Sequence, residues 1–240
     1  MLAVLLMAPV TQADQSVRRL SLPIPSTEYT IEATPDGHRL IIEGFGTLLE
    51  PGVPRLPSRI FPVAIPPGAE VVGVTFTAAD PVSLQLESEL APAKVWNPIG
   101  SADEKARAAE QARFDANYAT IYAGDEQYPA SPVQLLRKAR FRGHELVDIR
   151  VTPVAYHPQT RNVLHYTDIT VHVDYRLPEQ RELPVCESSA AIEAAGRDLI
   201  FNSEQASAWC SANALRDPER YEFVIVTTPG LVSSLTDLVE

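Results

Sequence analysis

Thiol and imidazole chemistry in this 240-residue sequence is confined to two cysteines and five histidines. A thiolate nucleophile needs a nearby base or cation to lower its pKa. Cys186 and Cys210 are distant in sequence from His38, His144, His157, His165 and His172, and the histidines are scattered through strand-like and turn-like stretches. His165 and His172 have opposite parity, so on a single strand they face opposite ways and do not converge. There is no Gly-rich phosphate loop, no paired-His zinc motif and no Gly-x-Ser-x-Gly elbow. These residues predict no catalytic constellation, no metal site and no cofactor. In an exported protein Cys186 and Cys210 would pair; two free thiols are the alternative that spacing leaves open.

Basic residues offer a second kind of chemistry. Lys105, Arg107 and Arg113 fall in a long stretch over residues 97–132, which reads as an insertion. Arg137, Lys138, Arg140 and Arg142 form a run, and Arg197, Arg216 and Arg220 lie near the C-terminal end. A Lys or Arg on an exposed loop serves solubility, or it is bound or cut by a peptidase of trypsin-like specificity. The formal net charge of −11 argues against a nucleic-acid phosphate backbone as partner and suits a basic protein surface.

The elements that must position these residues are strands. The 21 prolines disfavour long helices, while hydrophobic residues at 45% permit an ordinary core. Val163, Ile169, Val171, Val173 and Tyr175 alternate with Asp168, Thr170, His172 and Asp174. Val147, Ile149 and Val151 alternate with Asp148, Arg150 and Thr152. Period two predicts strands with one buried face. The turn-forming His157-Pro158-Gln159-Thr160-Arg161-Asn162 between them predicts one long antiparallel hairpin. Strands over 29–33 and 39–43 flank Thr34-Pro35-Asp36-Gly37, and strands over 59–65 and 70–77 flank Pro66-Pro67-Gly68. A further strand is expected over 82–87. Many short strands joined by Pro/Gly turns predict an all-β, antiparallel β-sandwich over residues 18–177. The Ala-, Glu-, Lys- and Arg-rich stretch 102–116 predicts a helix within the insertion, a setting in which long loops often carry function.

Both ends differ from this middle. Residues 2–10 are an apolar run, too short to span a bilayer, and Thr11-Gln12-Ala13 follow. Residues 1–13 read as a secretory signal peptide lacking the usual basic start, cut after Ala13. Secretion or residence in the cell envelope follows as the expected location. Residues 178–220 read as a linker with short helices over 190–195 and 203–215. Residues 221–228 read as a buried strand and 231–240 as a helix, the opening of an α/β domain. Alone, that unit cannot bury both faces, so the polypeptide is expected to continue past Glu240.

Three groups of residues resemble gingipain-family (C25) cysteine peptidases, the first two their propeptides. The first is Gly52-Val53-Pro54-Arg55-Leu56-Pro57 with Ile65-Pro66-Pro67-Gly68-Ala69. The second runs from Tyr128-Pro129 through Phe141-Arg142-Gly143 and Val151-Thr152-Pro153-Val154-Ala155-Tyr156-His157-Pro158. It continues as Leu164-His165-Tyr166-Thr167-Asp168-Ile169-Thr170-Val171. The third, residues 221–228, is similar to the first strand of that family's caspase-like catalytic domain. The resemblance implies a β-sandwich pro-region that keeps a downstream catalytic domain latent and assists its folding. It implies a basic residue offered to the active-site cleft, with Lys105, Arg107 and Arg113 as candidates. It also implies a maturation cut by a processing peptidase in the linker, with Arg197 and Arg216 as candidates, and catalytic residues beyond this sequence. The high effective concentration of an inhibitor in the same chain favours such a role. Two alternatives remain: an extracellular β-sandwich adhesion module, or the N-terminal domain of a secretion-linked envelope peptidase of the same family. An adhesion module would favour an outward aromatic stripe, for which Tyr156 and Tyr166, but not Tyr175, have matching parity.

Overall fold

A computed structural model describes residues 16–25, 28–95, 104–178 and 190–209. Cys186, Cys210, Arg216, the apolar run 2–10 and the strand–helix stretch 221–240 lie outside the described residues.

Twelve strands and three helices are described. The strands are β1 (Arg18–Pro23), β2 (Tyr29–Thr34), β3 (Gly37–Ile42), β4 (Gly46–Thr47), β5 (Pro57–Ile65), β6 (Glu70–Thr77) and β7 (Val82–Gln85). They continue as β8 (Val133–Phe141), β9 (His144–Val151), β10 (Val154–His157), β11 (Asn162–His165) and β12 (Thr170–Arg176). The helices are α1 (Glu104–Tyr122), α2 (Ala190–Leu199) and α3 (Ser203–Ser207). The strands form antiparallel sheets ordered β1-β12-β6, β4-β5-β9-β8, β10-β11-β7 and β2-β3.

The alternation that predicted strands also fixes their inner faces. Val171, Val173 and Tyr175 of β12 join Phe61, Val63 and Ile65 of β5 and Val147, Ile149 and Val151 of β9 in one buried cluster. The β1-β12-β6 and β4-β5-β9-β8 sheets therefore share an apolar core. A second cluster collects Leu40 and Ile42 of β3, Val154 and Tyr156 of β10, Val163 of β11, Leu56, Leu90 and the end of α1 at Tyr122. A third, smaller one lies on the other face of β5 and β9, where Ala64 and Leu146 meet Ile200 and Ala206.

The long hairpin expected over 146–175 is instead two strands on each side. β10 and β11 pair across the expected turn, from His157 opposite Asn162 to Val154 opposite His165. β9 pairs with β5 and β8, and β12 with β1 and β6. The breaks have local causes. Pro153 has no N–H to give a ladder, and Asp168 sits at φ +52°, a left-handed conformation that Asp adopts more readily than most residues. His165 and His172 consequently lie on different strands. His165 is buried, while His172 sits on β12 with Nδ1 3.0 Å from Ser21 Oγ and Nε2 3.2 Å from Thr77 Oγ1.

Three further readings change. The Arg137–Arg142 run belongs largely to β8, a strand not anticipated, which forms the edge of its sheet. Charges on an edge strand oppose edge-to-edge association. α1 is longer than the 102–116 expectation, reaching Tyr122. Within the 178–220 stretch read as a linker, residues 200–206 place Ile200, Asn202 and Ala206 against the β domain, each less than 9% exposed.

Candidate functional site

α1 is built to form without much help. Ala106, Ala108, Ala109, Ala112, Ala116 and Ala119 give it high intrinsic propensity. Gln111 Nε2 donates to Asp115 Oδ1 at 3.0 Å, one turn along. Residues 104–109 are all exposed, and so is Arg113, whose Nη1 lies 3.3 Å from Glu110 Oε1. Lys105 and Arg107 therefore stand on the solvent-facing first turns of the helix. Cations near a helix N-terminus oppose the macrodipole, so helix stability does not explain them.

The C-terminal half is the anchor. Phe114, Tyr118 and Tyr122, each four residues apart, stack along one side, with ring centroids 5.8 and 4.5 Å apart. Tyr122 meets the buried ring of Tyr156 edge-on at 6.4 Å. The Tyr122 hydroxyl donates to Leu90 O at 2.7 Å, and the Leu90 N–H donates to the Tyr156 hydroxyl at 3.3 Å. Both backbone groups of the fully buried Leu90 are thus satisfied by tyrosines. Gln159, in the β10–β11 turn, donates to Tyr122 O at 2.9 Å and supplies a partner for a carbonyl at the helix end.

A loop from the sequence motif completes the seat. Asn117 Nδ2 donates to Pro51 O at 2.8 Å. Gly52, at φ +79°, presses its backbone against the Phe114 carbonyl. Gly52 N–H donates to Ala93 O at 2.9 Å, Arg55 N–H donates to Ala91 O at 3.0 Å, and Val53 and Leu56 are buried. The Gly52–Pro57 motif, quoted for its resemblance alone, is the platform that holds α1.

The electrostatics separate anchor from tip. Burial pushes the Tyr122 hydroxyl far up, with Tyr156, Tyr118 and Glu89 adding to the effect. Burial also raises Tyr156 and Tyr128. The shifts favour the neutral phenol, the form in which Tyr122 donates to the Leu90 carbonyl and Tyr156 accepts from the Leu90 N–H. Burial lowers His165 and His144. Among the described residues no cluster of His, Cys, Asp and Glu could hold a metal ion, and no helix is long and apolar enough to cross a membrane.

The expected site residues therefore scatter. Lys105, Arg107 and Arg113 share one projecting helix. Arg197 is exposed in the last turn of α2, three residues before buried Ile200. The sequence does not single out the aromatic ladder or Asn117, and it marks Gly52 only as part of a motif, without its contact to α1. The i, i+4, i+8 spacing of Phe114, Tyr118 and Tyr122 was the available signal. Tyr156 and Tyr175 are both buried, so these tyrosines do not form the outward aromatic stripe that adhesion would favour.

Among its described residues this antiparallel β domain has no metal-binding cluster, and its one long helix carries three basic and three acidic side chains, with Lys105 and Arg107 exposed on the first turns. The family model Propeptide_C25 matches residues 13–206, and the chain belongs to that family of propeptides. Two solved structures are similar. One is the complex of RgpB pro- and mature domains from Porphyromonas gingivalis. It has 17% identity, covers 81% of this chain and 96% of that chain, and gives a TM-score of 0.50. The other, described as insight into zymogenic latency of gingipain K from Porphyromonas gingivalis, has 18% identity, 73% and 98% coverage, and a TM-score of 0.43. No curated protein matches the chain.

Proposed function

We propose that this chain is the N-terminal pro-region of a gingipain-like cysteine peptidase, holding its own downstream catalytic domain latent until proteolytic removal. The observation that carries the reading is the family match over 13–206, most of the chain. α1 supplies the means. A seat made of Pro51, Gly52, Leu90 and Tyr156 fixes one end of the helix, and the other end offers Lys105 and Arg107. Fixing a recognition element beforehand lowers the entropy cost of binding, and tethering in one chain raises its effective concentration. Arg113, nearer the anchor and beside Glu110, is the weaker candidate for contact with a cleft.

Export through the apolar N-terminal run is part of the same reading, because latency is needed while a peptidase travels. Between the two processing candidates, Arg216 is favoured over Arg197. A peptidase binds an extended segment, and Arg197 lies in a helical turn tied within a few residues to the β domain. Cross-linking mass spectrometry on the uncut precursor tests the arrangement. Links from Lys105 should fall on the rim of the catalytic cleft. Links confined to the pro-region's own sheets would refute it.

A further inference from the structure

β5 has one edge paired with β9 over Arg59–Ile65, while its other edge meets β4 only at Pro57 and Ser58. Beyond β4, the outward backbone groups of β5 need other partners. Pro62 has no N–H, so its carbonyl alone requires one, as suits a proline on a strand edge. Phe201 N–H donates to Pro62 O at 2.9 Å. Ala64 N–H donates to Asn202 Oδ1 at 2.8 Å, and Asn202 Nδ2 donates back to Ala64 O at 3.0 Å. One side-chain amide thus satisfies both backbone groups of Ala64, taking the place of a neighbouring strand.

Apolar contacts surround this bond pair. Asn202 is 8% exposed, Ile200 2% and Ala206 1%. Ile200 and Ala206 cover Ala64 and Leu146, and Trp209 packs against the same cluster. The Phe201 ring meets Phe61 edge-on at 4.8 Å. Water is kept from a hydrogen-bonded pair that would otherwise exchange with solvent, which makes its loss costly.

We propose that the open edge of β5 is a docking site for residues 200–209, a clip that keeps the C-terminal part of the chain seated on the β domain after the backbone is cut upstream of it. A cut at Arg197 breaks the covalent link and leaves every contact of residues 200–209 with β5 in place. A cut beyond Trp209 leaves the clip on the pro-region, so the downstream chain loses it. The clip sorts cleavage into two outcomes: retention when the cut precedes Ile200, and release when it follows Trp209. This rests on the contacts of residues 200–209 alone and stands apart from the latency reading.

The test uses the 240-residue chain with a recognition sequence for a site-specific protease inserted between Glu187 and Ser188. After cutting, native mass spectrometry and gel filtration at micromolar concentration should show the two pieces still together. Asn202→Ala should weaken that association by roughly tenfold or more. Moving the inserted sequence to between Cys210 and Ser211 should free the C-terminal piece. Hydrogen exchange on the uncut chain gives a reading independent of cutting. The Ala64 amide should be protected, and at least about tenfold faster to exchange in Asn202→Ala, with β12 amides unchanged. Separation of the pieces on cutting before Ser188, equal retention by Asn202→Ala, retention after the later cut, or an unprotected Ala64 amide would each overturn the proposal.

Discussion

Gly52 packs its backbone directly against the main-chain carbonyl of Phe114, leaving no room for a side chain between loop and helix. The contact joins the Gly52–Pro57 motif to the middle of α1. Gly52 also holds φ +79°, a conformation that a residue with a Cβ adopts at a cost. Gly52→Ala should therefore destabilise the domain by about 1–3 kcal/mol from backbone strain alone. It should also loosen α1, so trypsin should cut at Lys105, Arg107 and Arg113 faster than in the parent chain. Urea unfolding and timed proteolysis read both effects. An unchanged midpoint with an unchanged digestion pattern would remove Gly52 from the anchor.

The tyrosines around Leu90 give a second expectation. Tyr122→Phe leaves the Leu90 carbonyl without its donor, and Tyr156→Phe leaves the Leu90 N–H without its acceptor. Each should cost about 1–3 kcal/mol, because the orphaned group is buried. The same hydroxyls set an alkaline limit. Folding raises the pKa of Tyr122, Tyr128 and Tyr156 above the ordinary 10.0, so the folded state keeps protons that the unfolded chain releases. Stability is full below pH 10.0 and should fall as pH rises above it. Denaturant midpoints at stepped alkaline pH, with phenolate absorbance recorded alongside, check the direction.

His165 sets the acid side. It is buried at the end of β11, its Nε2 has no hydrogen-bond partner, and its ring meets Tyr29 edge-on at 5.0 Å. Burial lowers its pKa below the ordinary 6.5, so the unfolded chain takes up a proton first as pH falls. Stability should be full above pH 6.5 and decline below it. His144 is shifted the same way and shares the effect. His165→Phe should flatten most of the slope below pH 6.5, as read by thermal unfolding across acid pH. An unchanged slope would mean that other groups govern it.

Latency should depend on the exposed cations and not on fold stability. Replacing Lys105 and Arg107 together with alanine should weaken inhibition of the catalytic domain by about tenfold or more, since losing a charged anchor costs about 2–5 kcal/mol. Global stability should change by less than about 0.5 kcal/mol, because both residues are on an exposed surface. Inhibition constants and urea midpoints measured on one preparation distinguish the two. Equal inhibition by parent and double variant would exclude this pair as the contact.

Much of the fold was legible because period-two alternation is a local signal. The Thr34–Gly37 turn joins β2 to β3, and the turn from His157 to Asn162 joins β10 to β11, as read. Where sequence failed, the cause was either a local break that leaves the alternation unchanged or a contact distant in sequence. Pro153 and Asp168 redirect strands that continue the same alternation on both sides, so the pattern alone suggested one hairpin. Asn202 reaches Ala64 across 138 residues, and an Asn between two short helical stretches looks like any linker residue. The end of α1 was missed because aromatic and β-branched residues lower local helix propensity. There, packing on Tyr156 outweighs propensity. The basic residues are visible from composition, but only the fold shows that Lys105 and Arg107 lie in the exposed first turns of α1 and Arg113 next to its anchored half.

The most direct test of the central claim is inhibition in trans. The 240-residue chain would be titrated into a C25-type peptidase catalytic domain, with initial rates followed on a peptide substrate. A dose-dependent loss of activity, complete at micromolar concentration and weakened by the Lys105 and Arg107 replacements, is the predicted result. Full activity at micromolar pro-region would contradict the account.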